Sequence, residues 1–338
     1  MRKYATLSTL LTQNGAITSA LSLLPHRIET MKGVFLGSGT DGMSQEVICS
    51  AVMSLTGKPE PECSVLFIGT ATYDLPGPRE RQTAIFREAG CTILDLPIAC
   101  RDPSPGEMRE RVGSADIVVV GGGNTLFMVD RWRRIGLDAI LREAMRRGTV
   151  LAGGSAGAIC WFDGGHSDSM DPDTYRAAKL SESEPRKDVG KDDDETTGRW
   201  EYIRADGLGF LPGLVCPHHD KMQSNGLLRA RDFNSMLKRH SGERGICIDH
   251  WAGLVIDGDD YRTISIEGKS GSVKGSELCM SGSGVPGVWI KEIDSAGDVR
   301  VELVPTSGKI ASILTPARSI TLDPREETCR KENADDLP

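Results

Sequence analysis

Val150-Leu-Ala-Gly-Gly-Ser155-Ala-Gly-Ala-Ile-Cys160 runs from a short apolar segment through two glycines to a lone serine, then through Ala-Gly-Ala into a second apolar segment. That order describes a strand, a very tight turn and a helix, with Ser155 at the turn. Gly153, Gly154 and Gly157 remove the Cβ atoms that would collide where strand and helix cross. The Ser155 hydroxyl is then expected to stand clear of the backbone near a helix N-terminus, the logic of a Gly-x-Ser-x-Gly elbow. A glycine-rich turn that only packs a helix on a sheet, or that binds phosphate, has the same pentapeptide. The stretch alone leaves those readings open.

The chain upstream predicts the sheet to which this strand belongs. From residue 33, short β-rich runs alternate with longer amphipathic segments. Strands are predicted at 34–36, 64–68, 92–94, 117–120 and 149–152. Helices are predicted near 43–56, 78–89 and from 121–124 through about 147, the last broken at Gly136. The run 117–120 is wholly apolar, as a buried parallel strand should be. The βαβα order predicts an α/β fold: a doubly wound, mostly parallel sheet flanked by helices, with functional loops at the carboxyl ends of its strands. Short strands with Gly/Asp turns over 252–305 predict a small antiparallel C-terminal extension.

The expected organisation is an N-terminal extension at 1–30, a main domain at 31–265, a β-rich extension of that domain at 266–322 and a charged, frayed tail at 323–338. Residues 179–198 are dominated by Ser, Glu, Lys and Asp and predict a solvated, mobile acidic insertion. Residues 1–30 hold no acid before Glu29 and carry Arg2, Lys3 and Arg27, a mild likeness to an organelle transit segment. A plain extension and a cytoplasmic location are preferred.

With 338 residues, 38% hydrophobic and 26% charged, the composition is that of a globular chain. A net charge of −8 argues against a general nucleic-acid binder, and no apolar run is long enough to span a bilayer. Nine dispersed cysteines without Cys-x-x-Cys spacing suggest reduced thiols and no structural metal.

A serine nucleophile needs a base, a group that orients the base, and donors for an oxyanion. Of six histidines, His218 and His219 follow the apolar run 214–216 and Pro217, where an open sheet gathers its site. Two surface loop histidines would have the same spacing. His166 and His250 remain possible neighbours. The amide of Ala156, directly after Ser155, is a natural oxyanion donor. Gly121-Gly-Gly-Asn124 offers unobstructed amides at another strand end; it lacks the features of a P-loop or a Gly-x-Gly-x-x-Gly fingerprint, so nucleotide binding is the weaker idea.

Three motifs occur in order: Val-Gly-Gly-Gly-Asn-Thr-Leu at 120–126, Gly-Gly-Ser-Ala-Gly-Ala-Ile-Cys-Trp-Phe at 153–162, and Leu-Gly-Phe-Leu-Pro-Gly-Leu-Val-Cys-Pro-His at 208–218. Together they resemble the serine peptidases of the peptidase E (aspartyl dipeptidase) and cyanophycinase family, over roughly residues 33–265. The resemblance implies a fold like class I glutamine amidotransferases, with serine in place of their cysteine. It implies Ser155 as nucleophile, His218 as general base, and the amides of Gly123 and Ala156 as the oxyanion hole.

The third triad member departs from the family pattern. Where the family carries an acid after a strand, this chain reads Gly245-Ile-Cys-Ile-Asp249-His250-Trp251, with His250 at the acid position. Asp168 and Asp249 are the candidate orienting acids, Asp168 ranked first. Each could equally be a turn or capping aspartate. In peptidase E an arginine downstream of the histidine reads the substrate β-carboxylate, and Arg229 or Arg231 lies in the corresponding place. Solvated helix arginines are an equally good reading of both. Asn124 and His219 complete the expected substrate-binding set.

The expectation is a serine peptidase without metal or cofactor, acting on short peptides such as dipeptides with N-terminal aspartate. A cyanophycinase-like hydrolase or amidase is the alternative. So is a non-catalytic binding protein on the same scaffold, which His250 encourages. A small peptide is the expected partner, nucleic acid and membrane are not, and a homodimer is left open.

Overall fold

The computed structural model describes residues 31–181, 200–334 and 336. The extension at 1–30 and most of the acidic insertion lie outside the described residues.

The first half of the chain winds in the predicted order. It runs β1 (Met31–Leu36), α1 (Thr40–Met43), α2 (Glu46–Thr56), β2 (Ser64–Ile68), α3 (Pro76–Glu88), β3 (Thr92–Asp95), α4 (Pro105–Gly113), β4 (Ile117–Val120), α5 (Thr125–Ile135), α6 (Leu137–Arg146) and β5 (Val150–Gly154). Five of these strands lie parallel in the order β1-β5-β4-β2-β3. Alternate side chains point to opposite faces. Val34, Val65, Phe67, Ile117 and Val119 pack with Ile48 and Val52 of α2. Phe35, Leu66, Val118, Val120 and Leu151 pack on the other face with α5 and α6. Helices therefore cover both sides.

Local sequence explains the helix boundaries. Gly136, in the left-handed conformation at φ 76°, ends α5 and starts α6. In α6, Leu137, Ile140, Leu141, Ala144 and Met145 recur at helical spacing, and all are buried. The helix α4 was not read from the sequence, although Ser104 caps it by accepting from the Glu107 amide at 3.1 Å. Only Met108 and Val112 of that helix are buried, so its apolar stripe is short.

After β5 the chain makes α7 (Ala156–Ile159), only four residues long, and returns as β6 (Phe162–Ser167). There follow α8 (Arg176–Ser181), β7 (Ile203–Asp206), β8 (Leu211–Cys216), α9 (Arg229–Arg239) and β9 (Gly245–Ile248). Then come β10 (Ala252–Gly258), β11 (Asp260–Ser265), β12 (Val273–Lys274), β13 (Glu277–Leu278), β14 (Val288–Ile293), β15 (Val299–Leu303), β16 (Ser307–Lys309), α10 (Ile310–Ile313) and α11 (Arg325–Glu332). The strands β10, β11 and β16 extend the first sheet antiparallel beside β1. A second sheet, ordered β15-β14-β9-β8-β6-β7, is parallel only at β6, β8 and β9. The sequence reading had not separated this second sheet from the first.

The tail expected to fray is instead helical at α11, with Cys329 buried beside Leu126, Ile203 and Ala205. Charge rather than apolar periodicity holds it. Arg330 pairs with Asp130, Arg325 with Asp323 and Glu201, and Glu327 with Lys331 one turn on.

The two sheets meet at Gly37, just past β1. Its amide donates to the Ala252 carbonyl at 3.1 Å, and its carbonyl accepts from the His218 amide at 3.1 Å. A Cβ at residue 37 would lie 1.9 Å from the Asp249 carbonyl oxygen, so only glycine fits.

Candidate active site

The carboxyl ends of β1, β4, β5, β8 and β9 converge, and each delivers a polar group. At the end of β5, Ser155 adopts φ 55° and ψ −124°, a backbone conformation that side-chain-bearing residues rarely hold. The flanking glycines show why the turn can be so tight. A Cβ on Gly153 would lie 2.4 Å from the Gly157 carbonyl oxygen. One on Gly154 would lie 2.0 Å from that of Ser38, and one on Gly157 2.1 Å from that of Val120. Each contact is backbone that cannot swing aside.

At the end of β4, Gly123 sits at φ 136°, and a Cβ there would meet the Ala71 carbonyl oxygen at 2.2 Å. Among the described residues, no hydrogen-bond partner is seen for the amides of Gly123 or Ala156. Gly122 approaches Ser155 so closely that a Cβ on it would be 3.2 Å from the serine Cβ.

Ser155, Gly122, Gly123, Asp168, His218 and His250 line one cavity of about 600 Å³. Its rim includes Asp41 from α1, Arg81 from α3 and Lys179 from α8. Among the described residues no group of three or more His, Cys, Asp or Glu side chains is placed to hold a metal ion. No helix among them is long and apolar enough to cross a membrane.

His218 follows Pro217 at the end of β8 and takes the left-handed conformation, φ 49°. Its ring is pushed well below the usual histidine range, first by burial and then by the nearby charge of Arg229, His250 and Lys221. Its partner is not an acid. His218 Nδ1 lies 2.8 Å from His250 Nδ1. Parallel register explains the meeting: Cys216 of β8 is level with Cys247 of β9, so the residues just beyond both strands are neighbours. His250 Nε2 lies 3.0 Å from Asp41 Oδ2, and the His250 amide donates to Asp220 at 2.7 Å. Burial also lowers the pKa of His250.

The two expected orienting acids are engaged elsewhere. Asp168 lines the cavity, but its carboxylate faces Arg229 Nη1 at 3.6 Å. Asp249 is fully buried and accepts from His219 at 3.2 Å, from the Ser272 amide and hydroxyl, and from the Gly287 amide. It braces the loops behind the site. His219, expected at the substrate, is thereby turned into the protein interior.

Asn124 is likewise buried: its Oδ1 caps α5 by accepting from the Phe127 amide at 3.0 Å, and the side chain does not line the cavity. Arg231 is exposed on α9 and away from the cavity lining. Arg229 is fully buried, donates to the His166 carbonyl at 2.6 Å and lies over the Tyr202 ring. Its Nε and Nη1 have no hydrogen-bond partner among the described residues. Among the described residues, the Arg and Lys side chains that line the cavity are Arg81 and Lys179, which sequence reasoning missed. They flank no motif, and only the fold brings α3 and α8 to one rim.

The fold agrees with what the chain resembles. The model of peptidase family S51 matches residues 34–264, and the chain belongs to that family. It is a peptidase of the serine class. An uncharacterised peptidase of Bacillus subtilis (strain 168), YgaJ, is 30% identical over 187 residues, 55% of this chain and 68% of its own length. A Trypanosoma brucei brucei protein named G2/mitotic-specific cyclin-1 is 30% identical over 324 residues, covering 88% of this chain and 92% of that one. That name describes the trypanosome protein; what carries over here is the family. A crystal structure of a Listeria monocytogenes EGD-e protein assigned to peptidase E superposes with a TM-score of 0.50 at 16% identity. It covers 70% of this chain and 100% of its own, a likeness of fold.

Proposed function

We propose that the protein hydrolyses short peptides through an acyl-enzyme on Ser155, with dipeptides bearing N-terminal aspartate as the favoured class. The observation that carries this reading is Ser155 held at φ 55° on a cavity wall shared with His218 and Gly123. A strained backbone that persists is over-determined by its surroundings, and such strain concentrates at functional sites.

In this reading the Ser155 Oγ–H bond gives its proton to His218 Nε2 while Oγ bonds the scissile carbonyl carbon. The carbonyl electron pair moves onto oxygen, where the amides of Gly123 and Ala156 receive it. Collapse of the tetrahedral adduct breaks the C–N bond, and His218 returns the proton to the leaving amine. Water then adds to the ester by the same path and frees Ser155. The low basicity that burial gives His218 keeps it neutral, and so able to accept a proton, at neutral pH.

Preference for an acidic residue is supported by Arg81 on the rim, since a guanidinium pairs well with a substrate carboxylate. A cavity of about 600 Å³ suits a short peptide better than a folded chain.

The test is turnover of Asp-X, Glu-X, β-Asp-Arg and simple amide substrates by the wild type and by Ser155→Ala. Hydrolysis of Asp-X abolished in a folded Ser155→Ala variant is the expected result. Full activity in that variant refutes the nucleophile, and preference for β-Asp-Arg or amides refutes the substrate class.

A further inference from the structure

A neutral imidazole carries one N–H and one lone pair, so a contact between two ring nitrogens fixes more than a distance. His218 Nδ1 and His250 Nδ1 are 2.8 Å apart, room for a single shared proton. If His218 is to accept the Ser155 proton at Nε2, its own proton must sit on Nδ1, and His250 Nδ1 must be the acceptor. The His250 proton is then on Nε2, where the Asp41 carboxylate lies 3.0 Å away. The His250 amide is itself fixed by Asp220 at 2.7 Å. One acceptor, Asp41, thus sets the tautomer of both rings.

We propose that His250 and Asp41 together replace the orienting acid of the triad: Asp41 holds His250 as its Nε2–H tautomer, and His250 holds His218 as its Nδ1–H tautomer. This rests on the reading of Ser155 and His218 as nucleophile and base. Both His250 and Asp41 are positioning residues, since neither touches the reacting atoms. As His218 becomes imidazolium, its Nδ1–H bond to His250 strengthens, and His250 in turn leans on the carboxylate. Protonating His250 destroys the arrangement, because its Nδ1 then becomes a second donor facing the His218 N–H. The groups that face this pair are Asp41 from α1, Arg229 from α9, and Asp220 and Lys221 from the turn after β8.

The two candidate acids support the assignment by being occupied. Asp168 is directed to Arg229, and Asp249 is saturated by His219, Ser272 and Gly287. A separation of 209 positions between Asp41 and His250 kept this pair out of sight in the sequence.

The test uses a fluorophosphonate, whose reaction with Ser155 reports nucleophile activation without requiring the natural substrate. Labelling is followed by intact mass against pH for wild type, His250→Ala, His250→Glu, Asp41→Ala and the double variant Asp41→Ala/His250→Glu. Thermal melting confirms that each is folded. The expected rate falls at least 100-fold in His250→Ala and recovers to within about tenfold of wild type in His250→Glu, where a carboxylate accepts directly from His218. Asp41→Ala slows the wild type about tenfold and leaves the His250→Glu rate unchanged.

Nitrogen-15 histidine spectra of the wild type are expected to show His218 protonated on Nδ1 and His250 on Nε2. The proposal is overturned if a folded His250→Ala variant labels at the wild-type rate, if Asp41→Ala slows both backgrounds equally, or if His250 carries its proton on Nδ1. Failure of the underlying reading looks different: the wild type is then labelled at a residue other than Ser155.

Discussion

Replacing Ser155 separates the chemical role of the side chain from the cost of its backbone. At φ 55° and ψ −124° the residue occupies a region that a Cβ disfavours and glycine does not. Such a conformation costs about 1–3 kcal/mol for a residue other than glycine. Glycine gives back about 0.5–1 kcal/mol through the greater freedom of its unfolded chain. Ser155→Gly is therefore expected to be more stable than Ser155→Ala by about 1 kcal/mol, a roughly fivefold difference in the unfolding equilibrium. Both variants lack the hydroxyl, so neither should turn over peptide. The measurement is urea unfolding followed by tryptophan fluorescence, comparing midpoints at a common slope. A Ser155→Ala variant as stable as Ser155→Gly, or more so, would refute the claim that the turn stores strain.

Other outcomes follow from particular groups. Arg81→Ala should raise KM for an Asp-X dipeptide tenfold or more while changing KM for an Ala-X peptide little, since one charge-assisted contact is lost; equal effects on both peptides would remove Arg81 from recognition. The acid limb of kcat/KM should appear only below pH 6.5, because His218 is held below that ordinary value and stays unprotonated until more acid conditions. A limb centred above pH 6.5 contradicts its burial as a base. Glu326 of α11 is pushed up to about 7 by burial and by Asp206, so the folded state holds its proton more tightly than the unfolded chain does. Its contribution is complete below the ordinary value of 4.5 and is lost as pH rises through 7. Glu326→Gln should therefore be more stable than wild type by about 1–3 kcal/mol at pH 8 and nearly equal to it at pH 4, read by calorimetry.

The first sheet was legible because its signals are local. The run at 117–120 is the strand β4 residue for residue, and Gly136 breaks the helical stretch where its left-handed conformation requires. The second sheet was not legible as a separate sheet: β8, β14 and β15 fall in runs already read as apolar or β-rich, but β6 holds Gly164, Gly165 and His166 and has no apolar alternation. The helix α11 escaped for a related reason: it is fixed by ion pairs to other segments, which leave no period in its own sequence.

At the site, glycine sterics and strand ends pointed to Ser155 and His218, the family resemblance added Gly123, and the fold brings all three to one cavity. The group behind His218 could not. His250 at an acid position looked like a defect, and only the level pairing of β8 with β9 and the return of α1 to the same rim make it a partner. Arg229 and Asn124 show the opposite error, polar residues near a motif that the fold spends on its own interior.

The joint at Gly37 implies an order of failure. Ser155 rides on the first sheet and His218 on the second, and the amide of His218 is moored to the Gly37 carbonyl at 3.1 Å. In the proposed mechanism, slippage between the layers would part Ser155 from His218 while every strand stayed paired. Heating should then silence the enzyme before it melts, which makes activity the earliest thermometer of this fold. Gly37→Ala, which places a methyl group against the Asp249 carbonyl, should bring that loss of activity down to ordinary temperatures.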